Sequence, residues 1–219
     1  DSIRGVNKVL HTNKTDADKT GVYGFVSSFD SNGFTLSAGT SGTYYESNNN
    51  GDNYVAWCFN AGEDAPATNN DGTISSTVKA NQEAGFSIVK WTPTAAGQTV
   101  GHGLNFKPQL IFTKVLNSSF DWYVITDEID GSFDWLFLNT SAAAVNVNND
   151  TANDTTFQTD YGANTDLIAY AFHSVDGYQK VGSYTGTGAS GNMVETGFEP
   201  AFVMIKKTSG TSRWRIVDN

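Results

Sequence analysis

The chain has 219 residues, 16% charged side chains, 13% aromatics and a formal charge of -10. That length can bury a sizeable core without metal or disulfide staples. The acidity argues against nucleic-acid or anionic-membrane partners, which need a basic patch, whereas the 13 Lys and Arg are scattered. No run of about 18 apolar residues marks a membrane span, and a start at "DSIRG" without Met reads as a chain processed or cut from something longer.

Short apolar runs separated by Gly, Asn, Thr and Ser predict an all-β protein. "SNGF" (Ser31 to Phe34) and "NNDG" (Asn69 to Gly72) read as tight turns, because Asn and Gly tolerate positive φ. "DNYVAWCF" (Asp52 to Phe59) reads as a buried apolar strand, with the lone cysteine, Cys58, as a small core hydrophobe. "GEDAPATNNDGTISSTVKANQEA" (Gly62 to Ala84) carries Pro and Asn-Asp-Gly and reads as a linker or excursion. Strands are then expected at "GFSIVKW", "KPQLIFTKVL", "DWYVITD", "DWLFLNT", "DLIAYAFHS" and "GYQKVGSY". In "KPQLIFTKVL", both Leu110 with Phe112 and Ile111 with Thr113 give largely apolar faces, as an inner strand requires. No window of 12 residues carries a helical stripe, so an antiparallel β-sandwich is the expected architecture.

The chain also repeats itself. Pro108 with Pro200, Lys114 with Lys206 and Trp122 with Trp214 all lie 92 residues apart. "GFSIVKW" pairs with "GYQKVGSY", "DSIRG" with "DEIDG", and "DNYVAWCF" with "TDLIAYAF". Residues 1–61 thus read as the second half of one unit, 62–84 as the linker or excursion, 85–176 as a complete unit and 177–219 as the first half of a further one.

Candidate chemistry is sparse. His102 in "VGHGL" has no nucleophile motif beside it and aligns with Thr196, so it reads as a hydrogen-bonding turn residue; His11 and His173 are isolated, without zinc-ligand spacing. Asp127, Glu128 and Asp130 adjoin, but glycoside hydrolysis needs two carboxyls across a cleft, which adjacency does not supply. No catalytic residue is assigned. Calcium is the candidate cofactor, with Asp52, Asp71, Asp150 and Asp154 in Asn-rich and Asp-rich loops as hard oxygen donors, although ordinary turns explain the same loops. Among aromatics, those at matched repeat positions (Trp57, Trp91, Trp122, Trp214) read as core. The unmatched Trp135, Tyr44, Tyr45 and Tyr161 are the candidate ligand contacts, where a flat π-face can stack on a sugar ring.

"NYVAWCFNAG", "NNDGTISSTVKANQEAGFSIVKW", "AFHSVDGYQKVGSYTG" and "TGFEPAFVMIKKTSGTSRWRIVDN" resemble a repeated domain of unknown function in tail-fibre and virion structural proteins of marine tailed phages, cyanophages included. The resemblance implies a concanavalin A-like, jelly-roll type sandwich on an extracellular virion. It also implies a non-enzymatic adhesion module that meets host surface polysaccharide and other virion proteins and forms a homo-oligomer. A purely structural spacer or decoration is the alternative, ahead of a polysaccharide depolymerase. The resemblance brings no site residues with it.

Overall fold

The computed structural model describes residues 1–38, 47–147 and 151–218. Tyr44, Tyr45 and Asp150 lie outside them. The described residues form strands and turns, with no α-helix among them.

The strands are β1 (Lys8–Val9), β2 (Lys19–Thr20), β3 (Phe25–Asp30), β4 (Gly33–Ser37), β5 (Ala67–Asn69), β6 (Ser76–Asn81), β7 (Phe86–Trp91) and β8 (Gln98–Gly101). They continue as β9 (Leu110–Val115), β10 (Tyr123–Thr126), β11 (Asp134–Phe137), β12 (Val145–Asn146), β13 (Thr156–Thr159), β14 (Leu167–Phe172), β15 (Phe202–Ile205) and β16 (Arg215–Asp218). Eight of them make one antiparallel sheet in the order β12-β11-β10-β9-β14-β7-β6-β5.

At the centre of this sheet β14 is paired along its length with β7 on one side and β9 on the other. Both of its edges are therefore satisfied, and both of its faces are covered. One face carries Val89, Trp91, Ile111, Val115, Leu167 and Ala169, and it is covered by the separate β8–β13 pair through Val100 and Phe157. The opposite face carries Phe86, Ile88 and Ile168, and here the N-terminal segment packs through Ile3, Leu10 and Ala61. Arg4 fastens that segment: its Nε donates to Asp1 Oδ2 at 2.5 Å and its Nη1 to Asp18 Oδ1 at 2.6 Å, while the Tyr170 hydroxyl donates to Asp1 Oδ2 at 2.7 Å.

Several expectations are corrected. Residues 62–84 are not a linker: they supply β5 and β6, and β6 pairs with β7 from Thr77↔Lys90 to Asn81↔Phe86. Alternating small and β-branched residues in "STVKAN" suit the pleat, with Val78 buried. The tight turn at "SNGF" is present, closed by the Asp30↔Gly33 pair, but neither Gly33 nor Gly72 of "NNDG" has positive φ. Glycine is required at 72 by close approach, since a Cβ there would lie 2.2 Å from the Thr99 carbonyl oxygen. "DNYVAWCF" and "GYQKVGSY" form no strand; Cys58 is exposed, as are Trp57, Tyr178 and Tyr184. The same pattern of residues forms β7 and β14 because each of those has a neighbour on both sides, whereas among the described residues no strand pairs with residues 54–59, and residues 178–184 make only the isolated Val175↔Gln179 bridge.

Candidate functional site

Strands place side chains on alternate faces, so β9, β10 and β11 bring Thr113, Tyr123, Ile125 and Trp135 to the face shared with Trp91. β13 crosses above that face and runs into Asp160 and Tyr161. Between the two layers lies an open cleft of about 200 Å3, lined also by Phe120, Phe157, Gln158 and Thr159. Trp135 and Tyr161, candidates from distant parts of the sequence, both line it. Their rings meet through Tyr123, which is 4.9 Å from Trp135 and 6.2 Å from Tyr161, centroid to centroid, both edge-to-face. Phe120 completes the aromatic rim at 6.5 Å from Tyr161 and is itself exposed.

The cleft floor is built differently from its rim. Trp91 is buried, holds Phe157 edge-on at 5.4 Å and donates from Nε1 to Thr159 Oγ1 at 3.2 Å, which fixes β13 over the sheet. Beside it Thr113 is 1% exposed, and its hydroxyl has no partner. A buried hydroxyl without a hydrogen bond is costly, about 1–3 kcal/mol. The residue lines the cleft while its Oγ1 is itself shielded from solvent. At the other wall Gln158 Nε2 donates to Asp160 Oδ1 at 3.0 Å, leaving an exposed carboxylate and amide pair at the rim. Burial, followed by the nearby Asp121 charge, pushes the Tyr123 phenol above its ordinary range, so it is a neutral donor and acceptor at neutral pH. Stacking rings beside a few fixed polar atoms are the requirements for holding a neutral sugar.

The remaining candidates are dispersed or already engaged. Asp52 accepts from Asn49 Nδ2 at 2.7 Å and Asp71 from Asn69 Nδ2 at 2.8 Å, each within its own turn, whereas Asp154 accepts from the Lys107 backbone N–H at 3.1 Å and ties its loop to that of Lys107. Among the described residues no group of three or more His, Cys, Asp or Glu is placed to hold a metal ion. Asp127 pairs with Lys107 Nζ, and Glu128 accepts from Gln109 Nε2 at 2.5 Å. Neither lines the aromatic cleft. His102 is fully buried: its Nδ1 accepts from the Leu104 N–H at 3.2 Å and its Nε2 lies 3.1 Å from the Asn153 carbonyl, which defines the neutral tautomer with the proton on Nε2. Burial chiefly lowers its pKa. Sequence reasoning missed Tyr123, Phe120 and Thr113. The first two carried a usable signal, since they align with Arg215 and Ser212 and are thus aromatics that the repeat does not keep.

In the comparisons with known proteins, residues 1–219 match the model of a family described as a domain of unknown function, DUF7483. No curated protein and no solved structure matches the chain.

Proposed function

The chain belongs to the DUF7483 family, and we propose that it is a non-enzymatic adhesion module whose aromatic cleft binds a neutral sugar of a host surface polysaccharide. The observation that carries this reading is the meeting of Trp135, Tyr123 and Tyr161 around a cavity edged by the polar Gln158 and Asp160 side chains. A pyranose presents C–H faces to the rings and hydroxyls to Gln158 and Asp160. The net charge of -10 suits an uncharged ligand better than an anionic one.

The sheet with β8 and β13 laid over one face supports a lectin-type sandwich, concanavalin A-like in class, built from related units. With the resemblance to phage tail-fibre domains, the reading extends to an extracellular place on a virion, beside other virion proteins and further copies of the chain. Weak single sites suit such a setting, because repetition converts millimolar to micromolar contacts into avidity. The test is a glycan array together with a pull-down on whole bacterial cells using the 219-residue chain. Binding weakened about ten-fold by Trp135→Ala supports the reading, and blank results in both overturn it.

A second reading, a structural spacer or decoration, is favoured by the exposed apolar side chains of residues 54–59 and of β16. It predicts assembly without glycan affinity.

A further inference from the structure

Three hydrogen bonds between a first-half segment and a second-half segment occur twice. Trp122 Nε1 donates to the His11 carbonyl at 2.9 Å, and Trp214 Nε1 to the Phe137 carbonyl at 2.8 Å. Phe120 N–H donates to the Thr15 carbonyl at 2.9 Å, and Ser212 N–H to the Ser141 carbonyl at 2.8 Å. Asp18 N–H donates to the Leu116 carbonyl at 2.8 Å, and Ala144 N–H to the Thr208 carbonyl at 2.9 Å. In each case the residues on one side (122 and 214, 120 and 212, 116 and 208) are 92 apart, and those on the other (11 and 137, 15 and 141, 18 and 144) are 126 apart.

The hairpins obey the same two offsets. Tyr123↔Thr113 and Thr126↔Leu110 of β9–β10 become Arg215↔Ile205 and Asp218↔Phe202 of β15–β16. Asp134↔Asn146 and Trp135↔Val145 of β11–β12 become Lys8↔Thr20 and Val9↔Lys19 of β1–β2. The head of the central unit thus grips the N-terminal tail, while the C-terminal head grips the central tail. Such reciprocity is what a twofold relation imposes.

In the central unit, head and tail are joined along β10–β11 and β9–β14. The two ends of the chain hold the corresponding pieces unjoined, with Ile216 45% and Val217 59% exposed and Val55 69% exposed. Yet they are fastened to neighbouring points: the Leu138 N–H donates to the Trp122 carbonyl at 3.1 Å, so the anchors of His11 and Trp214 adjoin. Trp57 already meets Phe202 edge-on at 5.6 Å.

We propose that the two ends are the halves of a second unit, related to the central one by an internal twofold, and that they join within one chain as β16 adds to β1 and residues 54–59 enter beside β15. The β10–β11 register, carried across, sets Arg215 opposite His11, Ile216 opposite Leu10, Val217 opposite Val9 and Asp218 opposite Lys8. Two apolar pairs are then flanked by an oppositely charged one, as a cross-strand ladder favours. The β9–β14 register likewise sets Phe202 opposite Phe59 and Met204 opposite Trp57. Joining within one chain outcompetes joining between chains because the anchors hold both edges at high effective concentration. The cleft is not duplicated: Val9, Arg215 and Ile205 stand where the central unit has Trp135, Tyr123 and Thr113.

The test uses the full chain with Cys58→Ser and either Val9→Cys with Val217→Cys or Leu10→Cys with Ile216→Cys. Directly opposed strand residues lie about 4.5–5.5 Å apart between Cα atoms, within reach of a disulfide. Oxidation is expected to give a monomer with an internal disulfide for these pairs and not for Leu10→Cys with Asp218→Cys. Disulfide-linked dimers, no disulfide, or equal closure of the off-register pair would each overturn the proposal. A second measurement does not depend on cysteine. Lys8→Asp or Asp218→Lys alone should speed amide exchange over 215–218 about ten-fold, and the double charge reversal should restore protection. Exchange of these amides at unfolded-chain rates in the unmutated protein overturns it as well.

Discussion

Trp135 and Tyr161 stand on opposite walls of one cleft, bridged by the ring of Tyr123 at 4.9 Å from the first and 6.2 Å from the second. β11 delivers one and the segment after β13 the other, so the layering of β13 over the sheet creates the site.

Replacing either ring removes stacking area from a partly exposed position. Trp135→Ala and Tyr161→Ala should each weaken sugar binding about ten-fold, roughly 1.4 kcal/mol. Calorimetric titration with the best array ligand measures this, and Trp135→Phe should retain an intermediate affinity.

Thr113 provides a test in which stability moves and binding does not. Thr113→Val keeps the shape and removes a buried hydroxyl that has no partner. Stability should rise by about 1 kcal/mol while sugar affinity stays within about two-fold, because the shielded hydroxyl is out of reach of a ligand in the cleft. A fall in stability would show that the hydroxyl is engaged within the protein.

The N-terminal segment is anchored by Trp122, whose indole is buried and hydrogen-bonded to the His11 carbonyl. Trp122→Phe removes that donor and should cost about 1 kcal/mol, and Trp122→Ala about 3–5 kcal/mol through the cavity left behind. Urea unfolding with unchanged m-value is the appropriate readout.

His102 should make the fold sensitive to acid. Its folded pKa lies below the ordinary 6.5, mainly through burial, so the unfolded chain takes up a proton first as the pH falls. Its contribution to stability is intact above pH 6.5 and is lost as the pH drops from there through the folded pKa. His102→Gln, which carries no titrating ring, should flatten the dependence of Tm on pH between 7 and about 5.5. An equally steep decline in the variant would assign the effect to other groups.

The all-β class, the inner position of β9 and the strands β7, β10, β11 and β14 were legible because alternation and turn chemistry are local properties. The sequence also singled out Trp135 and Tyr161, through the simple fact that the repeat does not keep them. Other features were not legible. "DNYVAWCF" and "TDLIAYAF" carry the same pattern, yet only the second is a strand, since a strand requires neighbours that local pattern does not specify. Residues 62–84 looked like a linker for the same reason: β6 owes its structure to its pairing with β7.

By itself, then, the sequence determined the all-β class and picked out Trp135 and Tyr161. Only the tertiary structure decided that Trp135 and Tyr161 share a cleft with Tyr123 and that Thr113 is its unpartnered floor. Strand order and the crossing of β13 are contacts between residues far apart in the chain, and no local periodicity encodes which face meets which.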